Sequence, residues 1–86
     1  NHLYAIDAET GQEQWAFEAE GVFPSPAVSG GTVYVGSKDN HLYAIDAQTG
    51  QEQWAFETDG GVISSPAVSG GTVYVGSLDG SIYAVE

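Results

Sequence analysis

The sequence contains no cysteine, and among its 86 residues it has a single Lys or Arg, Lys38. Without cysteine, neither a disulfide framework nor a thiolate metal site can support its small core. No uninterrupted apolar run is long enough to span a membrane, so no membrane-spanning segment is expected. No basic-then-apolar leader is present either, and because a leader can be removed, its absence leaves the compartment open.

The charge balance is strongly negative. Twelve acidic residues against Lys38 give a formal net charge of -11, and such a surface repels phosphate backbones, which excludes nucleic acid as a partner. The acid excess could attract cations or a basic partner, or it could be the solvated surface of a halophilic protein. The acids are spread through the chain rather than clustered, which favours the halophilic interpretation. Apolar residues make up 42% of the chain, so it is expected to be globular rather than disordered.

The chain is an internal repeat. Residues 1–20 recur at 40–59 with three differences, and PAVSGGTVYVGS at 26–37 recurs unchanged at 66–77. The offset is 39 residues in the first block and 40 in the second, because Gly60-Gly61 replaces the single Gly21. A third copy begins with LDGSIYAVE. A period of about 40 residues is typical of propeller blades.

Turn residues divide each period into four strands: PAVS, TVYVG, HLYAID and QEQWAFE. Gly30-Gly31 predicts a two-residue hairpin with positive φ angles, and we expect the same kind of turn at Asp39-Asn40 and at Asp79-Gly80. Residues 7–11 predict a type I turn ending in a left-handed glycine, with the aspartate accepting backbone N–H bonds. The last three strands carry apolar residues on both faces and must therefore be covered on both faces.

These features predict an all-β fold of β-propeller blades, each of four antiparallel strands, with about two blades plus part of a third. Residues 1–25 would form the end of a first blade and a crossing, 26–59 the central blade, and 60–86 a crossing and a partial last blade. A β-sandwich is the alternative, although it would not need so strict a repeat. Helical solenoids are excluded because no window shows a period of 3.6 residues.

Each hairpin between the third and fourth strands carries the pattern A-x-D-x-x-T-G-x-x-x-W. This pattern resembles the tryptophan-docking motif of pyrroloquinoline-quinone-type propeller repeats, which occur in quinoprotein dehydrogenases and in BamB-like scaffold propellers. The resemblance covers essentially the whole chain. The motif residues are Ala5, Asp7, Thr10, Gly11 and Trp15, and then Ala44, Asp46, Thr49, Gly50 and Trp54.

The resemblance implies a structural role for Trp15 and Trp54. In the family, the indole packs against the motif alanine and a neighbouring blade, and its N–H bonds to backbone. A buried tryptophan brings a large apolar area and one donor that needs a partner, which agrees with that role.

The resemblance does not carry the quinoprotein chemistry with it. In those dehydrogenases the cofactor site needs calcium-binding acids, a catalytic aspartate and, in several, adjacent cysteines, and no position here matches them. We therefore expect no cofactor and no enzymatic activity. An active site also needs different residues converging on one point, whereas these blades are nearly copies.

Other candidate sites have simpler explanations. Asp7, Glu9 and Glu13 have the alternating spacing of a calcium loop, but Gln12 occupies the position where that loop needs glycine. His2 and His41 supply one metal ligand per blade with no second ligand beside it. The serines before Pro26 and Pro66 have no histidine base nearby.

Nearly all variation between the copies falls at one end of the predicted blades. The alternating strand directions place the turns at 38–41 and the crossings near 19–25 on this face, where loops on a rigid scaffold commonly carry function. Neutral drift of the loops is the alternative explanation. The candidate interaction face comprises Phe23, Lys38, Asn40, His41, Ile63 and Leu78.

Two periods cannot close a ring, and both ends would leave unpaired strand edges. We therefore predict that copies of the chain, or further blades of a longer parent chain, complete the propeller. The predicted function is a non-enzymatic scaffold or protein-interaction module, outside the cytoplasm or in the cell envelope, with a protein as its partner. The alternative is a fragment of a quinone-dependent dehydrogenase whose active site lies elsewhere.

Overall fold

The computed structural model describes residues 2–20, 25–62, 65–78 and 80–85. These residues form three antiparallel sheets, which we call the first, central and last sheets, with strand orders β1-β2, β3-β4-β5-β6 and β7-β8-β9. No helix occurs in them, and hence none that could span a membrane. The predicted all-β architecture is confirmed. The strands are β1 (His2–Ile6), β2 (Glu13–Glu18), β3 (Ala27–Ser29), β4 (Thr32–Ser37), β5 (His41–Asp46), β6 (Glu52–Glu57), β7 (Ala67–Ser69), β8 (Thr72–Gly76) and β9 (Ile82–Val85).

The predicted two-residue hairpin is confirmed between β3 and β4. Gly30 and Gly31 have φ angles of 58° and 81°, and Ser29 pairs with Thr32 on either side of them. Both central residues of this hairpin type need positive φ, which glycine adopts without steric cost.

The turn between β4 and β5 corrects a prediction. Ser37 pairs with His41, so three residues form the loop rather than two, and of these only Asn40 has positive φ, at 72°. A three-residue loop of this kind is a type I turn followed by one left-handed residue. Asparagine tolerates that conformation, which explains its place at the end of the loop.

The core consists of two apolar layers, one on each face of the central sheet. Val35 and Ile45 face the first sheet and cluster with Trp15, whereas Leu42 faces the last sheet and clusters with Val75. The central sheet is therefore covered on both faces, as its pattern of apolar residues requires.

The crossing, the segment that connects the central sheet to the last sheet, is bonded to both sheets. The Val62 backbone N–H donates to the carbonyl oxygen of Ser37 at 3.2 Å, and Val62 forms a β-bridge with Ser77. Both serines are buried, and both hydroxyls donate to crossing carbonyl oxygens: Ser37 to Glu20 at 2.9 Å and Ser77 to Gly60 at 3.1 Å. Each blade thus holds its preceding crossing in the same way.

We expect Gly36→Ala to destabilise the fold by about 1–3 kcal/mol through overpacking. A Cβ at Gly36 would lie 2.8 Å from the Val62 Cβ and 3.3 Å from the Val62 carbonyl oxygen. Urea unfolding followed by circular dichroism measures the loss. In a Val62→Ala background the loss caused by Gly36→Ala should be smaller, because the closest contact, with Val62 Cγ1, is removed. Equal losses in the two backgrounds would contradict the explanation.

Candidate interaction site

The hairpin that carries the docking motif is stabilised by the side chain of the motif aspartate. The Asp7 carboxylate accepts the backbone N–H groups of Glu9 at 2.8 Å and Thr10 at 3.0 Å, and Asp46 makes the same two bonds in the central blade. These backbone donors, Thr10 first and then Glu9, lower the pKa of the Asp7 carboxyl below its ordinary value. The turn closes with a bond from the Gly11 N–H to the Asp7 carbonyl oxygen, at 2.8 Å, with Gly11 at a φ of 75°. The predicted aspartate cap and left-handed glycine are confirmed, whereas the closing bond joins residues i and i+4 rather than the i and i+3 of a type I turn.

A β-bulge follows the turn and sets the direction of the tryptophan. Ala5 pairs with Trp15, but Ile6 pairs with Glu13, so the register shifts by one residue at this point. The central blade repeats the shift between Ala44 and Ile45. Bulges commonly re-aim a side chain, and here the bulged residue precedes the tryptophan directly. Nothing in the sequence pattern indicated it.

Trp15 lies between the first and the central sheets. It is 9% exposed, and its Nε1 donates to the Ala47 carbonyl oxygen at 2.9 Å. A Cβ at Gly50 would lie 2.7 Å from the Trp15 Cγ, so the indole is in direct contact with the docking turn of the next blade. The motif therefore links successive blades: the tryptophan of one packs on the glycine of the next.

Trp54 occupies the same position relative to the last sheet. It is half-buried, it packs against the cluster of Val73 and Val75, and its ring centroid lies 6.1 Å from that of Tyr34. Among the described residues, Trp54 has no counterpart of the contacts that Trp15 makes with Ala47 and Gly50.

Four residues of the candidate interaction face lie among the described residues. Lys38 and Leu78 flank Gly61, since a Cβ built there would lie 3.3 Å from Leu78 Cδ1 and 3.8 Å from Lys38 Cα. The Asn40 carbonyl oxygen accepts the Thr58 backbone N–H at 2.7 Å, which joins this turn to the crossing. Leu78 is 67% exposed. Phe23 and Ile63 lie outside the described residues.

His41 belongs to a small polar cluster that sequence reasoning missed. The Tyr43 hydroxyl donates to one carboxylate oxygen of Asp39, and the His41 Nδ1 lies 3.3 Å from the other. Burial and the Asp39 carboxylate raise the pKa of Tyr43 well above its ordinary value, so the phenol stays protonated and acts as a donor. The Tyr43 ring also contacts Phe17 of the first sheet edge-on, with centroids 5.1 Å apart. The polar cluster of the central blade is thus in contact with the first sheet through Tyr43.

Groups of three or more side chains able to hold a metal do not occur within the described ranges. Asp7 is engaged by its own turn, and each histidine lies close to a tyrosine of its own strand: the ring centroids are 5.7 Å apart both for His2 with Tyr4 and for His41 with Tyr43.

Antiparallel sheets that repeat at a period of about 40 residues, with the tryptophan of one sheet docked on the turn of the next, define a segment of a β-propeller of the tryptophan-docking type. The sequence profile of the outer membrane protein assembly factor BamB family matches residues 1–86. The chain therefore belongs to that family of pyrroloquinoline-quinone-type repeats, and the predicted resemblance is confirmed.

Solved structures give the same fold. A quinohemoprotein alcohol dehydrogenase from Pseudomonas putida HK5 matches with a TM-score of 0.77 and 31% identity, over 88% of this chain and 14% of the dehydrogenase. The computationally designed Ika4 protein matches with a TM-score of 0.73 and 24% identity, over 92% of this chain and 50% of the design. The chain spans half or less of either structure. Comparison with curated protein sequences finds no significant match.

Proposed function

We propose that this chain is a non-enzymatic propeller segment that acts as a scaffold or protein-interaction module. The observation that carries the proposal is the use of the motif: both docking turns are held by local bonds, and the second is also contacted by Trp15 of the preceding blade. The motif residues are therefore engaged in structural contacts. The variable residues, including Lys38 and Leu78, lie instead at one end of the sheets, where they can contact a protein partner.

Completion of the ring by copies of the chain, or by further blades of a longer chain, is part of the proposal. Ile6 in the first sheet is 59% exposed, whereas its counterpart Ile45 in the central sheet is 0% exposed. Ile45 is buried against Trp15 of the first sheet, so the solvated Ile6 marks a sheet face that a further blade would cover.

Light scattering across a salt series tests self-association. With a charge of -11 on each copy, we expect monomers at low ionic strength and oligomers of three or four copies in concentrated salt, because salt screens the repulsion between copies. The thermal midpoint at fixed protein concentration should rise over the same range. In a control variant, Glu-to-Gln substitution at the exposed Glu9, Glu13, Glu18 and Glu52 removes four of the negative charges and leaves every apolar residue in place. This variant should assemble at a lower salt concentration than the unaltered chain. A monomer at every salt concentration would argue against self-association.

We place the protein in the cell envelope or outside the cell, supported by the description of its family as an outer membrane protein assembly factor. Fractionation of cells producing the complete parent protein tests this location. Recovery in the cytoplasmic fraction would contradict it.

A second candidate function is a fragment of a quinone-dependent dehydrogenase, favoured by the structural likeness to the Pseudomonas putida enzyme. Titration with pyrroloquinoline quinone and calcium, followed by absorption, separates the two. A saturable spectral change would favour the dehydrogenase, and its absence the scaffold.

A further inference from the structure

The crossing that leads into the last sheet is one residue longer than the crossing that leads into the central sheet. The Ser37 hydroxyl donates to the carbonyl oxygen of Glu20, two residues after the end of β2. The equivalent Ser77 hydroxyl donates to the carbonyl oxygen of Gly60, three residues after the end of β6. Because the two bonds are equivalent in the repeat, the additional residue lies between the end of β6 and Gly60.

The additional residue produces a bend at Asp59-Gly60. On one side the bend is anchored by the buried Thr58, whose N–H and hydroxyl both donate to the Asn40 carbonyl oxygen, at 2.7 and 3.1 Å. On the other side, the Gly60 carbonyl oxygen accepts the hydroxyls of Thr58 and Ser77. Asp59 is exposed between these two anchors. The bend therefore presents an acidic residue to solvent immediately before a glycine.

Glycine follows Asp59 but none of the other aspartates among the described residues. Asp7 and Asp46 precede alanines, and Asp39 precedes an asparagine. Because glycine has no Cβ, its backbone nitrogen approaches the side-chain carboxyl carbon of a preceding aspartate with the least steric hindrance. The aspartate can then close a five-membered ring with the main chain. A glutamate such as Glu20, which also precedes a glycine, would have to close a larger ring that forms more slowly.

We propose that Asp59-Gly60 is a site of spontaneous backbone isomerisation. The Gly60 nitrogen attacks the carboxyl carbon of the Asp59 side chain; a new N–C bond closes a succinimide ring, and the carboxyl hydroxyl leaves with the proton of the nitrogen as water. A water molecule then opens the ring at one of its two carbonyl groups. Opening at the main-chain carbonyl gives isoaspartate, in which the chain continues through the side chain, and opening at the other carbonyl restores aspartate. Water is the only reactant, and the elemental composition of the product is that of the starting chain.

Isoaspartate adds one carbon atom to the main chain between the two anchors of the bend. The Gly60 carbonyl oxygen then moves away from the hydroxyls of Thr58 and Ser77, residues that are 4% and 7% exposed. A buried hydroxyl that loses its acceptor is destabilising. Gly61, which follows in the chain and lies against two residues of the candidate interaction face, moves as well. The modification therefore weakens the junction between the central and last sheets and changes that face.

The fold distinguishes Asp59 from Asp79, which also precedes a glycine but lies outside the described residues. The Gly80 N–H donates to the Ser77 carbonyl oxygen at 3.1 Å, so the nitrogen that would have to attack is held in a turn. The bend at Gly60 is held instead through its carbonyl oxygen. We therefore expect the folded chain to isomerise faster at Asp59 than at Asp79, and the unfolded chain to isomerise at both positions at similar rates.

Peptide mapping after incubation in warm, mildly acidic buffer tests the site, with the chain folded in concentrated salt and, separately, unfolded in urea. A protease that cleaves before aspartate but not before isoaspartate leaves fragment 46–78 uncut when Asp59 has isomerised and fragment 59–86 uncut when Asp79 has. In the folded chain we expect fragment 46–78 to accumulate first, and in urea we expect the two fragments to accumulate together. Absence of fragment 46–78 from the folded chain, or its accumulation no faster than that of 59–86, would overturn the proposal.

Asp59→Glu is the matched control, because it keeps the charge and prevents closure of the five-membered ring. After the same incubation of the folded chain, the isoaspartate content, measured by enzymatic methylation, should be lower in this variant than in the unaltered chain. The midpoint of urea unfolding should decrease on incubation in the unaltered chain alone. Equal isoaspartate contents would overturn the site, and an equal decrease in the two midpoints would overturn its effect on the crossing.

Discussion

Replacing Trp15 by alanine is expected to lower the free energy of unfolding by about 3–5 kcal/mol. The indole is nearly buried between two sheets, it contacts the next docking turn at Gly50, and its N–H satisfies the Ala47 carbonyl oxygen. Truncation leaves a cavity between blades and an unpaired carbonyl. Urea unfolding in high salt, at one fixed protein concentration, measures the effect.

Two matched variants divide this loss into its causes. Trp15→Phe keeps an aromatic ring but removes the donor to Ala47, and should cost about 1–3 kcal/mol. Trp54→Ala removes a half-buried side chain without an equivalent glycine contact, and should cost less than Trp15→Ala. Equal losses at Trp15 and Trp54 would mean that contact with the next docking turn contributes nothing.

Local features of the structure could be predicted from the sequence. The strand order, the Gly30-Gly31 hairpin and the cap supplied by Asp7 all follow from residue types a few positions apart, where turn chemistry is decisive. The strict repeat extended these predictions to every blade. The loop at 38–40 was predicted one residue too short, because Asp39-Asn40 suits both a two-residue turn and the end of a three-residue turn.

Contacts between blades were not predictable at the level of atoms. Trp15 and Gly50 are 35 positions apart, and the contact depends on how two sheets stack rather than on any local pattern. The same holds for the hydroxyls of Ser37 and Ser77, whose bonds to the crossings no local pattern in the sequence indicates. The β-bulge before Trp15 was not predicted either, because no glycine marks its position in the sequence.

The glycine of the docking motif has two separable roles, and the repeat supplies its own control. Gly11 and Gly50 have nearly the same φ, 75° and 78°, and occupy the same motif position. A Cβ at Gly11 would meet nothing within 4 Å, whereas a Cβ at Gly50 would lie 2.7 Å from the Trp15 ring. The difference between the two sites therefore isolates the contact between blades from the strain of the turn.

Gly11→Ala is expected to cost about 1–2 kcal/mol, the strain of a left-handed alanine. Gly50→Ala should cost about 1–3 kcal/mol more, because the indole must also shift. In a Trp15→Ala background the extra cost should vanish, leaving the two glycine variants equally destabilised in a double-mutant cycle measured by urea unfolding. If Gly50→Ala still costs more than Gly11→Ala in the Trp15→Ala background, the additional loss does not come from contact between Gly50 and Trp15. The docking motif would then not link the blades in the way its geometry indicates.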